Sequence, residues 1–171
     1  MPQPLALVVM GVSGCGKSTV GELLAQELQV DFLDADDLHT PEHKAKMHAG
    51  IPLTDADRRP WLATVGAAMK AETDAGRSVV VACSALRRIY RDALREAAAG
   101  PVFFVHLHGS RELLESRLGR REGHFMPPTL LDSQLATLEP LEPDEAGVVV
   151  DIALSPQAAV DAAVAALPRV R

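Results

Sequence analysis

Gly11-Val12-Ser13-Gly14-Cys15-Gly16-Lys17-Ser18 matches the pattern G-x-x-x-x-G-K-[ST] at every fixed position. The apolar run Leu5-Ala6-Leu7-Val8-Val9-Met10 leads into it, and 19–28 reads as the helix that follows. That strand–loop–helix setting gives the motif its meaning. The glycines let the backbone curl so that successive N–H groups point inward at phosphate oxygens. Lys17 adds a mobile positive charge for the outer phosphates, and the Ser18 hydroxyl can ligate Mg²⁺. A plain turn between strand and helix needs one or two glycines. It does not need Lys-Ser at a helix start, where the dipole disfavours a buried cation unless an anion is present.

Working outward, short apolar stretches at 5–10, 31–34, 78–83, 102–107 and 147–151 alternate with helical stretches at 17–28, 41–49, 57–75, 86–98, 110–120, 129–138 and 156–166. This alternation predicts an α/β protein with a five-stranded parallel sheet. All strands but the second read as continuous apolar runs, as expected of strands covered on both faces. Thr40-Pro41, Ser110 and Ser155-Pro156 read as helix starts, and Gly76 and Gly100 as stops. The 171 residues suit one domain spanning 1–171, with no internal repeat or linker.

The net charge of −6 argues against a nucleic-acid binder working through a broad basic face, but not against a nucleotide held by local donors. No apolar run approaches the length of a membrane span. The two cysteines, Cys15 and Cys83, fit no disulfide framework or metal spacing and are expected to be reduced thiols. The N-terminus enters a strand without a basic flank. The expected location is the cytoplasm, with no nucleic-acid or membrane partner.

Ligands of open parallel sheets bind beyond the carboxyl ends of the strands. Asp34-Ala35-Asp36-Asp37-Leu38-His39 follows the second strand, and Ser84 and Arg87 follow the third. Along an extended backbone Asp34 and Asp36 would share a side. One carboxylate can then help hold a metal-bound water while the other takes a proton from a substrate hydroxyl. Asp37 reads as structural. His43 and Lys44 are expected on a solvated helix face, while His39 is a candidate for a substrate hydrogen bond.

Thr54-Asp55-Ala56-Asp57 reads as a capping box and puts Arg58 near the first turn of a long helix. An arginine there opposes the dipole unless it faces an anion. A carboxylate substrate would supply one; a surface pair with Asp55 or Asp57 is the alternative. Trp61 can wall the same pocket or fill the core. Arg117, Arg120 and Arg121 lie before Gly123-His124-Phe125-Met126-Pro127-Pro128. A basic loop beside a phosphate loop suggests a small lid over about 118–128 that brings positive charge to a transferring phosphoryl group. The segment 138–143 reads as a Pro-rich connection more readily than as a base contact.

Several of these blocks together resemble the bacterial gluconokinase family. They include Gly11–Ser18, Phe32-Leu33-Asp34-Ala35-Asp36 with Leu38-His39, Lys46-Met47, and Gly50-Ile51-Pro52-Leu53-Thr54-Asp55 with Asp57-Arg58-Arg59-Pro60-Trp61-Leu62. Cys83-Ser84-Ala85-Leu86-Arg87-Arg88-Ile89-Tyr90-Arg91, Gly123–Met126 and Leu130-Leu131-Asp132-Ser133-Gln134 with Leu138-Glu139 continue the likeness along the chain. The resemblance implies a three-layer P-loop kinase fold, nucleoside-monophosphate-kinase-like, and transfer of the ATP γ-phosphate to the 6-hydroxyl of gluconate. It also implies Mg²⁺ dependence and a homodimer. Arg87 stands where the family pattern leads one to expect Lys, and Cys15 where Ser is frequent.

On this reading the nucleotide is held by Gly11, Val12, Ser13, Gly14, Cys15, Gly16, Lys17, Ser18 and Thr19, with Arg117. Ser18 and Asp34 serve the metal. Lys17, Asp36, Arg120 and Arg121 are the catalytic candidates. Asp36, His39, Lys46, Arg58, Trp61, Ser84, Arg87 and His124 are the candidates for a sugar-acid substrate. A kinase for another small acceptor, such as shikimate or a nucleotide, and a nucleotide-binding regulator without transfer activity are the alternatives.

Overall fold

The computed structural model of the protein describes residues 3–51, 53–119 and 128–168. Five strands form one parallel sheet: β1 (Ala6–Met10), β2 (Asp31–Asp34), β3 (Val79–Ala82), β4 (Val102–His108) and β5 (Gly147–Asp151). Their order is β2-β3-β1-β4-β5. The helices among the described residues are α1 (Lys17–Leu28), α2 (Pro41–His48), α3 (Asp55–Asp74), α4 (Arg88–Ala98), α5 (Arg111–Gly119), α6 (Pro128–Thr137) and α7 (Pro156–Ala166). Because β1 lies between β3 and β4, the strand order reverses beside it. The crevice at such a reversal is where open α/β sheets hold ligands. The glycine-rich loop leaves β1 at that edge, and Gly11 N–H donates to the Ser84 carbonyl at 3.2 Å, joining it to the segment after β3.

Alternation along the strands sends side chains to two faces. Leu7 and Val9, with Val80, Phe103, Val105 and Leu107, pack against Val20 and Leu24 of α1, Leu114, Leu131, and Val160 and Ala163 of α7. Ala6, Val8 and Met10, with Val79, Val81 and Phe104, pack against Trp61, Leu62, Val65 and Met69 of α3 and Tyr90 and Leu94 of α4. The result is the expected three-layer α/β architecture. At Gly66 the α3–α4 approach is so close that a Cβ would lie 2.3 Å from Ala97 Cβ. Glycine inside a helix costs about 1 kcal/mol of propensity; here it permits the helix contact.

The expected caps form. Thr54 and Asp57 make a reciprocal capping box at α3, and Thr40, Ser110 and Ser155 each accept an N–H at a helix start. Three expectations need correction. Gly100 does not end α4 in the left-handed conformation; Ala99 takes it, at φ 52°. β5 is an edge strand rather than one covered on both faces, and Val149 is exposed. Asp34 and Asp36 do not share an extended strand, because the chain turns into a 3₁₀ helix over Ala35–Leu38.

A buried ion cluster holds the connection between α6 and β5. Arg91 is fully buried and donates to both oxygens of Glu145, at 2.7 and 3.0 Å, and to the Ala85 carbonyl at 2.9 Å. Arg95 adds a 2.6 Å bond to Glu145. Desolvation pushes the Glu145 pKa up, but the bonds from Arg91, Arg95 and the Glu142 N–H outweigh it and bring it to about 2. Glu139 N–H also donates to the Leu86 carbonyl at 2.7 Å. The Pro-rich connection is thus fastened to α4 and anchors the carboxyl end of α6.

Candidate active site

The loop after β1 is a cradle built from local geometry. Gly11, Gly14 and Gly16 have φ of 146°, 86° and 89°. A Cβ on Gly11 would meet the Leu107 carbonyl at 2.8 Å, so this position excludes larger residues by both conformation and space. Gly16 precedes α1 and no side chain caps that helix, which leaves its first N–H groups to an anion. The Lys17 ammonium reaches back over the loop to the carbonyls of Gly11 and Val12, at 3.0 and 3.2 Å.

Across from the loop, Ser18 Oγ donates to Asp34 Oδ2 at 3.1 Å, and Asp34 Oδ1 accepts the Asp36 N–H at 3.0 Å. The carboxylates therefore meet through a capped turn, with Asp34 directed at the loop and Asp36 at the adjoining cleft. A hydroxyl and a carboxylate side by side make an all-oxygen donor pair. That pair fits Mg²⁺, which takes few protein ligands and completes its shell with phosphate and water oxygens. Asp36 is 71% exposed at its side chain, yet protein surrounds it on the cleft side. Desolvation raises its pKa, against the pull of Lys17 and with the help of Asp34. Water reaching the exposed oxygens limits that rise.

A cleft of about 160 Å³ opens beside the loop, lined by Ser13, Lys17, Asp36, His39, Arg58 and Ser84 among others. Trp61 is both wall and core. It is buried, lines the cleft, stacks on His39 with ring centroids 4.0 Å apart, and donates from Nε1 to the Ala35 carbonyl at 2.7 Å. Burial lowers the His39 pKa to about 4, helped by His43 and Arg58, so its imidazole is neutral at pH 7. Its buried Nδ1 has no partner among the described residues. His43 does not lie on a solvated face as expected: it is half-buried, 6.1 Å from the His39 ring, with Nε2 3.7 Å from Asp57.

Arg58 pairs with neither Asp55 nor Asp57. Its Nη1 donates to the Tyr90 hydroxyl at 2.9 Å, and that hydroxyl donates to Asp55. A guanidinium only donates and a carboxylate only accepts, so the hydroxyl's direction is determined. Arg87 completes the set with a 2.7 Å bond to Asp55. Arg87 consequently lines a neighbouring open groove with Asp55, Tyr90 and Glu139, rather than the cleft. Lys46 is likewise engaged, 3.0 Å from Asp57, and stands outside the cleft lining.

Sequence reasoning does not single out Tyr90, Asp55 or Gln134 as site residues. Tyr90 is the one tyrosine of the chain and lies in the first turn of the helix after β3, which is the signal for it. Gln134 lines the cleft and accepts the Ser13 N–H at 2.7 Å; it ends one of the blocks that carry the family resemblance, but no local pattern assigns it a role.

On the other side of the loop lies a second, mainly apolar cavity of about 140 Å³. Cys15, Gly16, Thr19, Leu107, Arg117 and Leu154 are among the residues around it. Arg117 donates to the Ile152 carbonyl there. Cys15 is buried, and burial drives the Cys83 thiol up to about 12, aided by Asp36. Arg120, Arg121, His124 and the greater part of the expected lid, 120–127, lie outside the described residues.

A phosphate loop flanked by an apolar cavity on one side and a carboxylate-bearing polar cleft on the other can bring a nucleotide and a hydroxylated acceptor together. Fold and site assign the protein to the P-loop kinases. Residues 7–141 match the family model described as an AAA domain. The chain is 52% identical over 143 residues to the gluconokinase of Gluconobacter oxydans (strain 621H), covering 84% of this chain and 80% of that protein. Its structure is similar to that of a gluconokinase from Sinorhizobium meliloti 1021, with a TM-score of 0.87, 48% identity, and coverage of 97% and 93%. A sugar kinase from Janibacter sp. HTCC2649 is similar at a TM-score of 0.89 and 51% identity, over 95% of this chain and 93% of that one. The chain belongs to the gluconokinase family.

Proposed function

We propose that the protein uses ATP and Mg²⁺ to phosphorylate D-gluconate at its 6-hydroxyl, giving 6-phospho-D-gluconate. The observation that carries this reading is Asp36, which faces the same cleft as Lys17 and Arg58 in a chain of the gluconokinase family. Gly11 through Thr19 cradle the phosphates, with Lys17 on the outer ones. The apolar cavity bordered by Arg117 takes the adenine. Ser18 and Asp34 hold the metal, which when bound neutralises charge on the phosphate oxygens.

Asp36 orients the 6-hydroxyl and takes its proton as the new O–P bond forms and the bond to the ADP oxygen breaks. The pKa of Asp36, raised by desolvation, makes it a better proton acceptor than an ordinary aspartate. Lys17 remains with the phosphoryl group and stabilises its charge. Arg58, braced by Tyr90, receives the gluconate carboxylate. Neutral His39 and Ser84 hydrogen-bond the sugar hydroxyls, and Trp61 supplies an apolar wall. Lys46 and Arg87 support the cleft through Asp57 and Asp55.

Arg120, Arg121 and His124 belong to a lid at about 118–128 that brings charge to the transferring group. Residues 1–171 act as one kinase domain, working in the cytoplasm as a homodimer without nucleic-acid or membrane partners. Among the described residues no helix is long and apolar enough to cross a membrane. Phosphorus NMR of a reaction containing ATP, Mg²⁺ and gluconate tests the function. The expected product is a phosphomonoester coupled to a methylene group. A phosphate on a secondary carbon, or no transfer, would contradict the reading.

A further inference from the structure

Gln134 projects from α6, and its amide reaches a loop 121 positions earlier in the chain, where Ser13 N–H donates to Oε1. A backbone N–H can only donate, so the amide's orientation is determined: oxygen on the loop, nitrogen directed elsewhere. Nε2 carries two hydrogens and has no protein acceptor among the described residues. The side chain is half-buried and lines the cleft with Lys17, Asp36, His39, Arg58 and Ser84. Two further lining residues, Ser133 and Thr137, come from the same helix. The carboxyl end of α6 is anchored where Glu139 N–H meets the Leu86 carbonyl and Glu139 Oε1 accepts the Arg88 N–H, both at 2.7 Å. The amide is therefore presented from a fixed support.

We propose that Gln134 is an acceptor-contacting residue: Nε2 donates to an oxygen of the acceptor while Oε1 stays on the Ser13 N–H. One side chain then sets the acceptor's distance from the phosphate loop. Anything that shifts the loop shifts the acceptor contact, so nucleotide and acceptor affinities are coupled through this amide, reciprocally. The inference rests on the kinase reading above and names a residue for its acceptor.

Calorimetric titration of gluconate into the full chain, saturated with Mg²⁺ and a non-hydrolysable ATP analogue, tests it on the wild type, Gln134→Met and Gln134→Glu. Methionine keeps the bulk and loses both donors together with the oxygen that accepts the Ser13 N–H. Glutamate keeps an oxygen for Ser13 N–H, loses the donors and adds a charge that repels a carboxylate. The gluconate Kd is expected to rise about tenfold in Gln134→Met, the scale of one lost hydrogen bond, and further in Gln134→Glu. Affinity of Gln134→Met for the ATP analogue is expected to fall less than the gluconate affinity, because only the Ser13 N–H loses its partner while the rest of the loop and Lys17 keep theirs. An unchanged gluconate Kd overturns the proposal. So does an ATP-analogue affinity that falls as steeply as the gluconate affinity, since the residue then only braces the loop. A wild type that does not bind gluconate is a failure of the proposed substrate instead. The acceptor that it turns over is then titrated in its place.

Discussion

The nucleotide side of the loop is made from backbone supplied by one stretch, 11–18, whereas the acceptor side is made from side chains of distant elements. Phosphate binding there depends on three positive-φ glycines and an uncapped helix start. Neighbouring side chains hardly enter. Acceptor recognition instead depends on Asp36 in a turn, His39 stacked on Trp61, and Arg58 held through Tyr90 by Asp55. A backbone site tolerates change around it. A side-chain site fails piece by piece, and each failure should appear in acceptor kinetics before it appears in nucleotide affinity.

The sharpest break comes from Asp36→Asn. It should lower kcat by about a hundred- to ten-thousandfold, the range for a lost general base, with ATP affinity nearly unchanged. Equal kcat would remove Asp36 as the base. In the wild type, kcat should fall as pH drops through the Asp36 pKa, on a limb above the ordinary value of 3.8. Residual Asp36→Asn activity should lack that limb.

Lys17→Ala removes the charged side chain that the loop itself turns toward the outer phosphates. Steady-state kinetics should show kcat down about a thousandfold, together with weaker ATP binding. This differs from the acceptor-side pattern, in which nucleotide affinity survives.

A smaller effect distinguishes positioning from contact. Tyr90→Phe deletes the hydroxyl between Arg58 and Asp55. The gluconate KM should rise about tenfold while the KM for ATP holds. Preference for acidic over neutral polyol acceptors should narrow. A variant that keeps its full preference would show that Arg58 needs no brace.

The smallest effect lies outside both regions. His106 is buried in β4, and burial lowers its pKa to about 4, with help from His108 and Arg91. The unfolded chain, with an ordinary histidine pKa of 6.5, takes up the proton first as pH falls. Stability that is complete above pH 6.5 is therefore lost between 6.5 and about 4, on the order of 2–3 kcal/mol for this group. Thermal melts of His106→Leu should be flatter across that window than those of the wild type. Parallel slopes would show that His106 is not the source.

What could be read from the chain follows the same division. The loop and strands were legible because each is a local pattern: an apolar run, a glycine spacing, a cap. Asp34, Asp36 and Arg58 were legible because they sit at the end of a strand, in the turn after it or in the first turn of a helix. The 3₁₀ turn was not, since its cap and its acidic pair use the same residues. Gln134, Tyr90 and Arg91 act through partners 121, 35 and 54 positions away, and no local period marks such pairings. His43 reads as solvated because its helix is polar; only Asp57, arriving on α3, and the neighbouring His39 ring enclose it.

The measurement that bears most directly on an acceptor side built for a sugar acid is a coupled kinase assay. It would compare kcat/KM for gluconate, shikimate and nucleoside monophosphates at one saturating ATP and Mg²⁺ concentration. Gluconate should be turned over with a clear margin over all the others. Good shikimate or nucleotide turnover with none of gluconate would contradict the assignment, and ATP binding without transfer to any acceptor would contradict the enzyme itself.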